Sequence, residues 1–112
     1  MLFRSSALRV VVDLPGGRTL AFVTTHLHHP PDAATERDEQ ATDLLRWLDA
    51  GPRTDALVLC GDFNANPREP AYARISAAGF RSAYLEANGA EPAVTWPSGL
   101  DAPMKDTDGD PA

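Results

Sequence analysis

Five apolar residues in a row, Ala56-Leu57-Val58-Leu59-Cys60, end abruptly at Gly61-Asp62-Phe63-Asn64. A short apolar run without polar alternation reads as a core strand buried on both faces, and Gly61 marks where it stops. In extended geometry Asp62 and Asn64, two residues apart, leave the same side of the backbone, while Phe63 turns the other way into packing. A carboxylate and a carboxamide are then expected side by side at the mouth of the strand. The first can take a proton from water or sit beside a metal, and the second can donate N–H to an anion without adding negative charge. That pairing suits a phosphate ester. An Asx-rich turn closed by Asn66-Pro67 accounts for the same residues without any chemistry.

Upstream, Leu8, Val10, Val12 and Leu14 alternate with Arg9, Val11 and Asp13, which is strand periodicity. Pro15-Gly16-Gly17 turns the chain, and residues 19–26 return with Leu20, Phe22, Thr24 and His26 on one side. An antiparallel hairpin is expected, with His26 continuing an inward apolar row. An isolated histidine at a strand end is more often a satisfied structural residue than a ligand. His28-His29-Pro30-Pro31 is a loop, since consecutive prolines allow neither helix nor ladder. The prolines also stand where a His-x-His-x-Asp-His metal motif needs its Asp and last His. His28 and His29 therefore read as loop residues.

Ala41, Leu44, Leu45 and Leu48 recur at helical spacing, which predicts a helix over 33–49 stopped by Gly51-Pro52. Arg37 and Gln40 fall near its inner side, although surface positions beside Glu36, Asp38 and Glu39 explain them equally well. Glu69-Pro70 fits a second helix start, Gly79 its end, and Tyr72 and Ile75 its buried side. Residues 80–85 read as a short strand or turn, Asn88-Gly89 as a turn, and Thr95-Trp96 as the start of a final strand. Beyond Ser98 the pattern dissolves into a loop or disordered tail. Asp106-Thr107-Asp108-Gly109-Asp110 has its glycine one place early for a calcium loop and lacks the closing Glu, so it reads as a solvated acidic loop.

A length of 112 residues suits one modest domain, 1–112. The net charge of -6 carries no basic footprint, so a nucleic-acid partner is allowed but not favoured. A single cysteine inside a strand forms no internal disulfide, and no apolar run reaches membrane-spanning length. A cytoplasmic location follows if Met1 is the true start.

Thr25-His26-Leu27, then Arg37-x-x-Gln40, then Gly61-Asp62-Phe63-Asn64 occur in this order, and together they resemble the endonuclease/exonuclease/phosphatase superfamily of DNase I-like metal-dependent hydrolases. The resemblance covers the chain up to about Trp96. It implies an α/β fold, part of a four-layer α/β/β/α sandwich. It also implies Mg²⁺ or Mn²⁺ and in-line attack of water on phosphorus. By the same resemblance, Asp62 orients or deprotonates the water and is a candidate metal contact. Asn64 binds the scissile phosphate and helps position Asp62, and His26 binds a phosphate oxygen. Arg37 and Gln40 support these groups from behind.

The departures from the family pattern are equally specific. Nothing before His26 supplies the family's main metal-binding Glu, and no Asp-His pair follows, His29 being the last histidine. The chain is thus expected to be the central piece of such a domain, incomplete at both ends and inactive alone. A non-catalytic domain or relic that binds a phosphorylated ligand or partner is the alternative. One hairpin and two helices cannot close two stacked sheets, so an apolar sheet face is expected to stay open and to favour self-association.

Overall fold

The computed structural model describes residues 6–93 and residue 95. Three strands form one sheet in the order β1-β2-β3, where β1 is Ser6–Leu14, β2 is Arg18–His26 and β3 is Ala56–Asp62. The β1–β2 hairpin is antiparallel, with Val10 opposite Phe22, and it turns through Gly16 and Gly17 at positive φ. β3 runs parallel to β2 after the crossover helix α1, Ala34–Ala50. Two shorter helices follow, α2 (Pro70–Ala77) and α3 (Ala83–Asn88).

α1 lies over one face of the sheet. Ala21, Val23 and Thr25 of β2 and Leu27 just after it are buried there, together with Arg37, Gln40, Ala41 and Leu44 of α1. Arg9 fastens β1 to the same layer. Its guanidinium sits 4.5 Å above the Trp47 ring and donates to the Trp47 and Leu48 carbonyls, both at 3.4 Å, at a helix end with no basic residue of its own. The α2 helix packs on α1 and is tied to it by the two-pronged Arg74–Asp38 pair at 2.6 and 3.0 Å. That guanidinium holds the Asp38 carboxyl below the usual carboxylate range.

Four expectations change. Among the described residues, β3 is covered on one face only, and Val58 is 41% exposed. The row Leu20, Phe22, Thr24, His26 points away from α1, and its neighbour row Ala21, Val23, Thr25 is the buried one. Alternation separates two faces but does not say which one meets a helix. Residues 83–88 form α3 rather than a strand or turn, because the Ser82 hydroxyl accepts the Leu85 N–H and Gly89 closes the end in left-handed geometry. In α2, Ala71 is the buried residue, while Tyr72 and Ile75 are half-buried. Trp96, the 98–112 tail and the acidic loop at 106–110 lie outside the described residues.

Candidate functional site

Because β2 and β3 are parallel, their carboxyl ends finish side by side, and the register places His26 directly opposite Asp62. In open α/β sheets ligands gather at such strand ends, where polar side chains leave the ladder next to loops. His26 Nε2 lies 3.7 Å from Asp62 Oδ2, and the two side chains are 68% and 63% exposed. Protonation of the ring would make this an ion pair. Both groups occupy the open face, on the side away from α1.

Asn64 departs from the extended geometry expected of it. The strand stops at Asp62, and Asn64 adopts φ 50, a left-handed conformation that asparagine tolerates better than most residues. Its backbone N–H donates to Asp62 Oδ1 at 3.0 Å, and its Nδ2 donates to the Leu27 carbonyl at 2.8 Å. The carboxamide therefore anchors the β3 exit to the β2 exit, and the peptide N–H fixes one oxygen of Asp62. Leu27 N–H completes the seam by donating to the Asp62 carbonyl at 2.9 Å. Gly61 makes this approach possible. It has φ +133, and a Cβ there would stand 1.9 Å from the Thr25 carbonyl oxygen.

Behind the seam, Arg37 is fully buried and its fork is spent on four acceptors. Nε donates to Glu69 Oε1 at 2.8 Å, Nη1 to the His28 and Pro30 carbonyls at 3.0 and 2.6 Å, and Nη2 to the Pro31 carbonyl at 3.3 Å. Gln40 Oε1 accepts the His28 N–H at 2.8 Å, and Glu69 Oε2 accepts the Asn66 N–H at 3.4 Å. One buried guanidinium thus joins the loop after His26 to the loop after Asn64, and neither Arg37 nor Gln40 reaches the open face. Glu69 is the residue that sequence reasoning missed. It reads as an ordinary helix start, and its partner stands 32 positions away. An arginine buried on the inner side of α1 needs a carboxylate partner, and that requirement is the signal that could have found it.

The Endonuclease/Exonuclease/phosphatase family model matches residues 2–109. The chain belongs to this family. Nocturnin of Xenopus laevis is 39% identical over 88 residues, which cover 71% of this chain and 23% of that protein. Nocturnin of Drosophila melanogaster is 46% identical over 61 residues, 53% of this chain and 10% of that protein. Among solved structures, the human Nocturnin catalytic domain with bound sulfate anion superposes with a TM-score of 0.62 at 27% identity, covering 78% of this chain and 39% of that one. TDP2 of D. rerio complexed with a single-strand DNA product gives 0.54 at 22% identity, over 79% of this chain and 35% of that one, and this likeness speaks for the fold alone. The chain therefore spans well under half of each of these relatives. The mixed α/β arrangement is that of the DNase I-like fold, of which one sheet and its helical layer are seen here.

Enzymes of the endonuclease/exonuclease/phosphatase family hydrolyse phosphate esters and generally depend on a divalent metal. The described residues do not by themselves fit such an ion. Among them no three His, Cys, Asp or Glu side chains converge, and Asp62 stands as a single carboxylate whose Oδ1 already takes an N–H. Mg²⁺ keeps several waters among its roughly six oxygens and takes one or two carboxylates from the protein, of which Asp62 is the one offered here.

Proposed function

We propose that the chain carries one wall of a phosphoester-hydrolysing site, with His26, Asp62 and Asn64 at the carboxyl ends of β2 and β3. The observation that carries this reading is the exposed imidazole–carboxylate pair at 3.7 Å, set at adjacent parallel strand ends. In this reading Asp62 Oδ2 takes the proton of the attacking water while Oδ1 is held by the Asn64 N–H. The His26 ring donates to a phosphoryl oxygen as negative charge develops there. The Asn64 carboxamide, fixed by one N–H on Leu27, offers its other N–H to the same group. Arg37, Gln40 and Glu69 hold both loops in place and touch no substrate. The sulfate found on the human Nocturnin domain has the shape and charge of the group this wall is proposed to take. Mg²⁺ or Mn²⁺ is the cation assigned to the reaction, and Asp62 is the residue of this wall that would contact it.

Hydrolysis of bis(p-nitrophenyl) phosphate with Mg²⁺ tests the reading in a longer reading frame that contains this chain. Asp62→Ala is expected to lower kcat/KM by about 10²–10⁴-fold, and His26→Gln by a similar factor. Equal rates for Asp62→Ala and the parent would remove Asp62 from the mechanism. The 112-residue chain alone is expected to show no turnover above the blank.

A second reading for the chain by itself is binding of a phosphoryl group without hydrolysis, which needs only the exposed His26 imidazole and the anchored Asn64 carboxamide. Calorimetric binding of a phosphate monoester that is lost in His26→Gln, with no product formed, supports that reading.

A further inference from the structure

Just beyond Asn64, the residues Asn66-Pro67-Arg68-Glu69 form a turn that is closed by several bonds at once. Glu69 N–H donates to the Asn66 carbonyl at 3.1 Å, Arg68 N–H to Asn66 Oδ1 at 2.8 Å, and Asn66 N–H to Glu69 Oε2 at 3.4 Å. Glu69 is held in turn by the buried Arg37 guanidinium at 2.8 Å. Surface turns are ordinarily the mobile parts of a domain, but this one is fixed to the same scaffold as the strand ends. The side chains it exposes are Pro67 and Arg68. Arg37, Arg46, Arg74 and Arg81 each have a carboxylate beside them, and Arg9 lies over Trp47. Among the described residues Arg18, Arg53 and Arg68 have neither, in a chain with 16 Asp and Glu. Arg18 and Arg53 stand where β2 and β3 begin. Arg68 alone of these follows the end of β3, where His26 and Asp62 meet.

We propose that Arg68 is a specificity residue of the site at the strand ends and takes a second phosphate of the substrate, next to the one received by His26, Asp62 and Asn64. The inference rests on the reading of those strand ends given above and names the substrate class they serve. The backbone from Asn64 to Arg68 spans at most about 14 Å, and the turn shortens it, so the guanidinium stands about one nucleotide from the strand ends. A planar guanidinium gives two parallel N–H donors to a phosphate, and here no carboxylate competes for them. The turn is fixed before a ligand arrives, so little ordering entropy is lost on binding. With a net charge of -6 the rest of the surface repels a polyanion, which leaves this cation to decide between substrates with one phosphate and with two. The preferred substrate is therefore a nucleotide-sized ester with a second phosphate close to the scissile one.

Two chromogenic esters test the proposal in the longer reading frame that contains this chain. Thymidine 5′-(p-nitrophenyl phosphate) and its 3′-phosphorylated form differ only in the second phosphate, and in both water adds to the 5′-phosphorus as p-nitrophenolate leaves. The parent is expected to favour the 3′-phosphorylated ester about tenfold in kcat/KM, chiefly through KM. Arg68→Gln should bring the two esters to within about twofold of each other by losing the gain on the 3′-phosphorylated one, and Arg68→Lys should keep about threefold of the preference. Equal kcat/KM for the two esters in the parent overturns the proposal, as does a preference that Arg68→Gln leaves intact. Turnover of neither ester would be a failure of the hydrolytic reading, and equilibrium binding then decides the role of Arg68. By calorimetry, thymidine 3′,5′-bisphosphate should bind the parent about tenfold more tightly than thymidine 5′-monophosphate and lose that advantage in Arg68→Gln. Equal affinities in the parent, or an advantage unchanged in the variant, overturn the proposal there too.

Discussion

On one face of β2, Ala21, Val23 and Leu27 lie under α1 and are shut from water, whereas on the other Phe22 and its cross-strand neighbours Val10 and Val58 remain between 41 and 49% exposed. The two faces are made of similar residues. What differs is the layer above them and the polar groups each can tolerate. The covered face admits polar chemistry only where every atom finds a partner, as Arg37 does with four acceptors. The open face leaves His26 and Asp62 accessible to solvent and therefore to a ligand. Buried polar bracing and exposed polar side chains are thus divided across a single sheet, and the seam at Gly61, Asn64 and Leu27 connects them.

The strongest way to break this contrast is to cut the buried fork. Arg37→Ala leaves Glu69 and three carbonyls without their donor, and a loss of about 3–5 kcal/mol in urea unfolding is expected. A change below about 1 kcal/mol would mean that the loops are held by something else. Gly61→Ala should follow at about 3 kcal/mol, because its left-handed φ and the Thr25 carbonyl leave no room for a methyl group. The faces themselves are compared by Val23→Ala, expected to cost about 2 kcal/mol, and Phe22→Ser, expected to cost within about 0.5 kcal/mol at concentrations where the chain is monomeric. Equal losses would erase the distinction.

The smallest effect concerns pH. Arg74 lowers the folded-state pKa of Asp38, chiefly through their hydrogen bonds. The stability this carboxylate contributes is complete above the unfolded carboxylate value of about 4, and it is lost as the pH falls through the lowered folded value. Asp38→Asn should flatten that part of the acid limb in urea unfolding and leave the neutral limb unchanged in slope.

Much of this was legible in the chain. Alternation over 7–14 and 19–26, the helical spacing of Ala41, Leu44 and Leu48, and the run ending at Cys60 locate β1, β2, α1 and β3 to within about two residues. Proximity of His26 and Asp62 follows from two strand ends in a βαβ unit. Which face α1 covers was not legible, because Leu20-Phe22 and Ala21-Val23 are both apolar and periodicity is blind to the next layer. The α3 helix spans six residues, too few for a helical period to show, and its signal was the capping serine. The turn of Asn64 into the left-handed region answers to the Leu27 carbonyl, 37 positions away, and no local pattern encodes that contact.

The side of the sheet on which His26 sits is the point on which the site depends, and nuclear Overhauser effects from its ring protons measure it in dilute solution. Contacts to the Asp62 methylene and to the Thr24 side chain are predicted, with none to Leu44 or Ala41. Ring contacts to those α1 residues would place the imidazole in the core and contradict the site.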